Sequence, residues 1–289
     1  MMRSKLFLVL LVSLVASACT TEVNTYVRIV RRATGMAITC TDAYGVPSPV
    51  ADCAGADRNI RVWIADGDAG ALSILDMQTH RHLDTNKFEP GWTPLAVGDD
   101  PIAVRAAPDS TAVYVLLRGG KAIVRVDASS LALTSQAIPC EAESFAVAAK
   151  GPAAGSLLVP CAATAAVLQV PVDAFGTHDA AGLATVPVEG APRYITLSPD
   201  ASIAYVTHLD RIETDPLYSG RVRWISRVDL ATGTTTRASL VAACSNGLDD
   251  DGDGLVDEKD PGCSGPDDRA EDPDADPICG NGADDDGDG

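Results

Sequence analysis

The chain repeats itself at an interval of 91 residues, and this repeat restricts the possible folds more than any other feature. The recurring positions are Pro101 and Pro192, Asp109 and Asp200, and Tyr114 and Tyr205. Strand-ending aspartates recur more often, at Asp76, Asp127, Asp173 and Asp229, in steps of 51, 46 and 56 residues. An interval of 91 is twice a unit of about 45 residues, and units of about 40 to 50 residues with several strands are typical of β-propeller blades.

Each unit consists of short β-rich runs separated by Gly, Pro, Asp and Ser, without long helical periodicity between residues 59 and 236. Four units are recognisable, and the third, at residues 144–173, is degenerate. We predict a Pro-Asp turn between the first two strands of a unit. The aspartate that ends the third strand is expected to accept backbone hydrogen bonds. The expected fold class is therefore all-β, with four propeller blades over residues 59–240 in an incomplete ring.

These units resemble YVTN-type propeller repeats, because Tyr114-Val115 and Tyr205-Val206-Thr207 match the name-giving positions. The resemblance covers roughly residues 59 to 236 and implies a fold, but it implies little about function. Closed propellers have roughly four to eight blades, and repeats of this type usually form seven. Further blades are thus expected, either hidden in the N-terminal region or elsewhere. Within the segment 19–58, residues 26–30 are either a strand that closes the ring or a tether.

Residues 1–18 have the features of an export signal, with two basic residues followed by an apolar run at 6–15. This run is shorter than the roughly 20 residues that span a bilayer. Cleavage after Ala18 would make Cys19 the first mature residue, and here the sequence resembles a bacterial lipoprotein signal, although Ala16 replaces the usual Leu. The resemblance implies a lipid anchor at Cys19 and, with Thr20 next, an outer-membrane or cell-surface location. Simple secretion is the alternative.

The negative charge is concentrated at the C-terminus. The chain has a net charge of −18, and residues 244–289 hold 17 Asp and Glu against 2 Lys and Arg. The body has no basic stripe, so we do not expect nucleic acid as a partner. An acidic segment punctuated by Gly and Pro is either disordered or binds cations, and residue spacing distinguishes the two.

Eight cysteines agree with export to an oxidising compartment. With Cys19 set aside, six of the other seven fall into close pairs, and disulfides are expected between these neighbours. The pairs are Cys40 with Cys53, Cys140 with Cys161, and Cys244 with Cys263. Cys279 is left without a partner in this pairing.

Residues 249–260 have the spacing of a twelve-residue calcium loop. The carboxylates fall at loop positions 1, 3, 5, 9 and 12, which are Asp249, Asp251, Asp253, Asp257 and Asp260. Gly254 occupies position 6, where a sharp turn is needed, and the carbonyl of Leu255 can supply a further oxygen. Because position 12 is Asp and not Glu, we expect weak affinity for calcium, with a Kd on the order of 10⁻⁴ to 10⁻³ M.

The cysteines that bracket this loop make it resemble the aspartate-rich calcium repeats of thrombospondin type 3 modules. In such modules, metal and disulfides replace a hydrophobic core. The motif restarts at Cys279 with Asp284, Asp286 and Asp288, and the chain stops at position 6 of this second loop. Residues 241–289 are therefore expected to form one complete and one truncated calcium repeat, in a fragment of a longer protein.

Other candidate sites are weak. His80 and His82 are expected in a turn or on the surface, and Arg193, Arg211 and Arg221 are expected to be solvated arginines near blade ends.

The preferred function is a non-catalytic exported lipoprotein with a propeller that binds a protein or glycan and a calcium-stabilised spacer. The alternatives are a soluble secreted binding module, or a propeller hydrolase such as a lactonase with active-site residues partly in missing blades.

Overall fold

The computed structural model describes residues 30–42, 44–53, 58–176, 183–209 and 224–239, together with residues 244, 254, 255, 259, 262 and 263. These residues form four antiparallel sheets and three short 3-10 turns, at Val50–Asp52, Ala162–Thr164 and Val172–Ala174. In these ranges, no helix has the length and apolar character needed to cross a membrane.

Each sheet is one blade, and the chain completes one blade before it enters the next. Blade 1 contains β1 (Ala33–Asp42), β2 (Pro47–Ser48), β3 (Arg58–Asp66), β4 (Ala71–Asp76), β5 (Arg81–His82) and β6 (Leu95–Ala96). Blade 2 contains β7 (Pro101–Ala106), β8 (Ala112–Leu117), β9 (Ala122–Asp127) and β10 (Leu133–Ala137). Blade 3 contains β11 (Ala146–Ala148), β12 (Ser156–Cys161), β13 (Ala166–Pro171) and β14 (Ala184–Pro187). Blade 4 contains β15 (Ala191–Leu197), β16 (Ile203–Leu209), β17 (Trp224–Asp229) and β18 (Thr235–Ser239).

The predicted all-β fold with four propeller blades is confirmed. Blades 2, 3 and 4 are four-stranded meanders, in which every strand pairs antiparallel with the next one along the chain. Within the described residues, the four blades do not close into a ring. We call this set of four blades the arc.

The strand β1 lies in the segment before residue 59, where the sequence predicted a strand or tether only at 26–30. Residues 26–29 lie outside the described part of the chain. The strand β1 pairs with β3 from Ala33 opposite Asp66 to Asp42 opposite Arg58. Gly35 lies at a bulge in this pairing, and a Cβ there would come within 2.9 Å of the backbone nitrogen of Val104 in β7. Glycine thus allows the first strands of blades 1 and 2 to approach each other closely.

The turns between the first and second strands have the predicted Pro-Asp geometry. In blade 2, Asp109 accepts hydrogen bonds from the backbone N–H and the hydroxyl of Thr111, at 3.0 and 2.8 Å. In blade 4, Asp200 accepts the corresponding bonds from Ser202. Both turns place a residue in the left-handed region, Ser110 at φ 61° and Ala201 at φ 54°. The 91-residue repeat in the sequence is therefore a repeat of turn geometry.

The predicted role of the strand-ending aspartates is confirmed in three blades. Asp76 accepts hydrogen bonds from the backbone N–H groups two and three residues ahead, Gln78 and Thr79, at 3.0 and 2.9 Å. Asp127 and Asp229 do the same in blades 2 and 4. These bonds satisfy donors that the turn into the fourth strand would otherwise leave without a partner. In blade 3, Asp173 lies within the 3-10 turn Val172–Ala174.

Adjacent blades pack face to face through apolar side chains. Trp63 and Leu72 of blade 1 pack with Val113 and Val115 of blade 2, and all four are fully buried. The opposite face of blade 2 packs on blade 3 through a cluster that includes Tyr114, Leu116, Leu157 and Val159. A third cluster, including Leu158, Val167, Val206 and Val228, joins blade 3 to blade 4. The core is thus a series of layers between sheets.

All three predicted disulfides are present. Cys40 pairs with Cys53, Cys140 with Cys161, and Cys244 with Cys263, with Cα atoms 5.9, 5.8 and 5.5 Å apart. The first pair lies in blade 1, and the second joins the loop that enters blade 3 to the end of β12. Cys140 and Cys161 are also buried members of the apolar cluster between blades 2 and 3.

One buried carboxylate organises the end of blade 1. Asp66 accepts hydrogen bonds from the backbone N–H groups of Arg31, Arg32, Asp68 and Ala69, at distances between 2.9 and 3.3 Å. Burial raises the pKa of Asp66, but these four donors together outweigh burial and hold its pKa below the ordinary value of 3.8. The charged form is therefore the one that the folded state stabilises.

We expect Asp66→Asn to lower the free energy of unfolding at pH 7 by about 2 kcal/mol, because buried N–H groups lose a charged acceptor. The matched change Asp127→Asn, in a partly exposed turn, is expected to cost less than about 1 kcal/mol. Since the folded pKa of Asp66 lies below the unfolded value of 3.8, its contribution is fully present above pH 3.8 and is lost as the pH falls below 3.8 and through the folded pKa. Urea unfolding of the wild type and the two variants at several pH values measures these free energies. Equal losses of unfolding free energy in both variants would contradict the prediction.

Candidate functional site

The five predicted aspartate ligands of the calcium loop lie outside the described residues; they are Asp249, Asp251, Asp253, Asp257 and Asp260. The aspartates of the second loop and the predicted lipidation site also lie outside them; these are Asp284, Asp286, Asp288 and Cys19. Two features of the loop are described. Gly254 has φ 95°, a backbone conformation that residues other than glycine rarely adopt. The Cys244–Cys263 disulfide brackets the loop. Both features fit the expected tight, clamped turn, in which Leu255 is 40% exposed.

Of the predicted minor sites, His80 and His82 lie at the surface, whereas Arg193 is partly buried and is not the solvated arginine that the sequence predicted. His80 lies in a turn with φ 54°, and the ring of His82 packs against Trp92 with centroids 4.4 Å apart. Arg193 forms an ion pair with Glu143, which links blade 4 to the loop that enters blade 3. Arg211 and Arg221 lie outside the described residues. The described residues include no group of three His, Cys, Asp or Glu side chains that could hold a metal ion.

A cleft opens between blades 2 and 3. It lies on the side of the arc where the first strand of each blade turns into the second strand. Its volume is about 550 Å³, within the range of small-molecule sites. We call it the interblade cleft. It is lined by Ala107, Pro108, Asp109, Thr111, Tyr114, Arg125, Thr134, Val147, Ala148, Ala149, Gly155, Val172, Asp173 and Phe175.

A row of cross-strand neighbours forms one wall of the interblade cleft. Tyr114 on β8 lies opposite Arg125 on β9, which in turn lies opposite Thr134 on β10. Because facing residues of antiparallel strands point to the same side of a sheet, all three project toward blade 3. Burial raises the pKa of the Tyr114 phenol, while the nearby Arg125, which donates a hydrogen bond to the phenol oxygen, acts in the opposite direction. The phenol is therefore neutral at physiological pH.

The other wall comes from the 3-10 turn of blade 3, which reaches across to blade 2. The backbone N–H of Gly176 donates a 3.2 Å hydrogen bond to the carbonyl of Ser135 in β10. This contact places the ring of Phe175 beside that of Tyr114, with centroids 5.6 Å apart and planes inclined by 47°. The cleft therefore has an aromatic inner wall made from two blades.

Two exposed carboxylates, Asp109 and Asp173, lie at the mouth of the interblade cleft. With Arg125, the hydroxyls of Thr111 and Thr134, and the two rings, the cleft offers acceptors, donors and apolar surface within one small volume. Such a combination suits a neutral ligand with several hydroxyl groups and at least one apolar face.

A buried histidine lies apart from the cleft. His208 on β16 is fully buried, and its Nε2 lies 2.8 Å from the hydroxyl of Ser226. Burial lowers its pKa to about 4, and the positive charge of Arg237 adds to this effect. His208 is consequently neutral at physiological pH and supports the sheet of blade 4. Neither its burial nor its partner was predicted from the sequence.

The residues of the cleft were not predicted as a site either. The sequence patterns include Tyr114 and Asp173 only as repeat positions. They do not single out Arg125 or Phe175. The available signal was the recurrence of a tyrosine at the same place in two units, since a side chain kept by both repeats needs a structural or functional reason.

No protein-family model and no curated protein sequence matches the chain. Among solved structures, it is similar to the hydrazine synthase of Kuenenia stuttgartiensis, with 13% identity and a TM-score of 0.51. The likeness covers 75% of this chain and 53% of that one, so the chain spans about half the length of the protein it matches. A protein of unknown function from Bacteroides caccae is similar at 14% identity and a TM-score of 0.42, covering 72% of this chain and 61% of that one. The hydrazine synthase is β-propeller-like, and at 13% identity the likeness to it shows the fold alone.

Proposed function

We propose that this protein is an exported, non-catalytic binding protein with an arc of propeller blades that recognises a sugar unit of a glycan in the interblade cleft. The observation that carries this proposal is the composition of the cleft, in which Tyr114 and Phe175 are surrounded by carboxylate, guanidinium and hydroxyl groups. Sugars present hydroxyl groups around their edge and C–H groups on their faces, so they need both kinds of contact at once.

The geometry favours a sugar unit over an extended peptide. The cleft is confined between two blades and has a volume of about 550 Å³, which suits one or two sugar rings and not a long strand. Asp109 and Asp173 can accept hydrogen bonds from ring hydroxyls, and Arg125 and the Thr134 hydroxyl can donate to sugar oxygens, whereas the Thr111 hydroxyl already donates to Asp109. A protein ligand would be the alternative use of the same cleft.

The acidic segment 241–289 is proposed as a calcium-stabilised spacer. The positive φ of Gly254 and the Cys244–Cys263 disulfide support a tightly closed loop at 249–260. A cluster of aspartates so close together would repel itself without a cation, and a divalent ion bound by several carboxylates removes that repulsion. The disulfide supplies the covalent closure that the short loop needs in place of a core.

We further propose that the protein is exported and anchored by a lipid at Cys19. The three disulfides support an oxidising compartment, since such bonds are rare in the cytosol. A surface lipid anchor followed by a binding arc would hold the interblade cleft outside the cell, where glycans are accessible.

For the cleft, we expect saturation-transfer NMR on the full chain to detect at least one sugar from a panel of mono- and disaccharides. Asp173→Asn and Arg125→Gln should each weaken binding roughly tenfold, because each removes one hydrogen-bonding group of the cleft. Glu141→Gln, a surface carboxylate outside the cleft, is the control and should bind like wild type. No transfer to any sugar, or binding of peptides alone, would rule out the glycan assignment.

For the spacer, calorimetric titration of the full chain with calcium should reveal one weak site with a Kd on the order of 10⁻⁴ to 10⁻³ M. Asp249→Ala should abolish it, because the first ligand of the loop is lost. Asp274→Ala, an acidic residue outside both loops, should leave it unchanged. A chain that takes up no heat-detectable calcium at millimolar concentration would show that the segment is only an acidic tail.

For the anchor, mass spectrometry of the mature N-terminus after expression in a bacterium that processes lipoproteins should show a diacylglyceryl-modified Cys19. Cys19→Ala should release the protein in soluble form, since the thiol that carries the lipid is gone. An unmodified Cys19 thiol in the wild type would leave simple secretion as the remaining possibility.

A further inference from the structure

The two end blades of the arc each have a large face that no other described blade covers. We call the face of a blade that is directed toward the next blade along the chain its front, and the opposite face its back. The fronts of blades 1, 2 and 3 pack on the backs of blades 2, 3 and 4. The front of blade 4 and the back of blade 1 have no such neighbour among the described blades.

The front of blade 4 repeats one row of three cross-strand neighbours from the front of blade 2. In blade 2, Tyr114 lies opposite Arg125, which lies opposite Thr134. In blade 4, Tyr205 lies opposite Arg227, which lies opposite Thr236. The two tyrosines are related by the 91-residue repeat. The half of the interblade cleft that blade 2 contributes is therefore present a second time in the molecule.

The two tyrosines differ in whether a blade covers them. Tyr114 is 4% exposed because blade 3 packs over it, whereas Tyr205 is 38% exposed. The same contrast holds for the first strands of the two blades. Ala103 of blade 2 is 7% exposed, whereas Tyr194, the corresponding residue of blade 4, is 55% exposed. Tyr194 and Tyr205 lie on adjacent strands of the same face, and an exposed apolar patch of this kind can mark an interaction surface.

The back of blade 1 has the properties of a surface that could cover them. Met36 lies opposite Ile64 and Ile38 opposite Val62, and these side chains form an aliphatic face. Met36 and Ile38 are 61% and 39% exposed. The back of blade 3, which covers Tyr114, is also aliphatic, with Leu157 opposite Val170 and Val159 opposite Leu168. The chain thus carries both halves of the kind of junction that it already forms three times.

We propose that the front of blade 4 docks on the back of blade 1 of a second copy of this chain, and that two copies close head to tail into a ring of eight blades. Eight is within the range of roughly four to eight blades in closed propellers. Outside the acidic segment, residues 1–243 carry 23 Asp and Glu against 20 Lys and Arg, so charge repulsion between two arcs is weak. Each new junction encloses Tyr205 and Arg227, which completes a second pair of clefts that one copy cannot form.

The test is sedimentation equilibrium of the full chain over a micromolar concentration series, with a dimer as the expected result. Tyr205→Asp on the front and Ile38→Asp on the back should each weaken association by at least roughly tenfold, because each places a charge in an apolar junction. Phe88→Asp is the control, since Phe88 is 99% exposed in a loop outside both faces. This variant should dimerise like wild type.

Mixing the two faulty variants distinguishes a head-to-tail contact from a symmetric one. The intact front of the Ile38→Asp protein can still dock on the intact back of the Tyr205→Asp protein, so the equimolar mixture should associate where each variant alone does not. Circular dichroism verifies folding, and Tyr194→Asp replaces Tyr205→Asp if the latter does not fold. A monomer at every concentration, variants that dimerise normally, or a mixture that stays monomeric would each overturn the proposal.

Discussion

Each blade of this protein depends on the apolar face of a neighbouring blade, and the arrangement of turns, bonds and clefts follows from that contact. All six residues of β8 are buried, because alternate side chains project toward blade 1 and toward blade 3. A four-stranded sheet with two such faces is stable in water only when both are covered. Val113 and Val115 are covered from one side, and Tyr114 and Leu116 from the other. Blade 2 is thus covered on both faces, as is blade 3, where all six residues of β12 are also buried.

Because the packed faces of the blades are apolar, the hydrogen bonds of charged side chains are made mainly in the turns. Asp76, Asp127 and Asp229 accept the N–H groups of the turns that follow them, and Asp66 does so for the segment that enters blade 1. With these donors satisfied locally, the space between blade ends is free for other groups. The interblade cleft forms where blades 2 and 3 diverge at their ends, and the 3-10 turn that carries Phe175 spans the gap.

The sequence predicted what is local and repeated, and it did not predict what depends on neighbours. The blades, the Pro-Asp turns and the disulfide pairs follow from short patterns, and the structure confirms them. The strand β1 was missed because its residues, rich in Ala, Thr and Gly, do not match the repeat, and it becomes a strand by pairing with β3. The cleft was missed because Tyr114 and Phe175 are 61 positions apart and meet only when two blades pack. Burial of His208 has the same origin, since a single polar residue in a strand gives no sign of which face is covered.

The disulfides of the arc close short stretches of chain, with sequence separations of 13 and 21 residues, and neither connects one end of the arc to the other. Within the described residues, the blades are thus joined to one another covalently only through the backbone, in series. Cooperative unfolding must then pass from one blade to the next through their shared layers, as in linear repeat proteins, where stability is a sum of unit and neighbour terms. In a single copy, an end blade shares only one layer and can open while the middle blades persist, so the isolated arc has graded local stability that is highest in its centre.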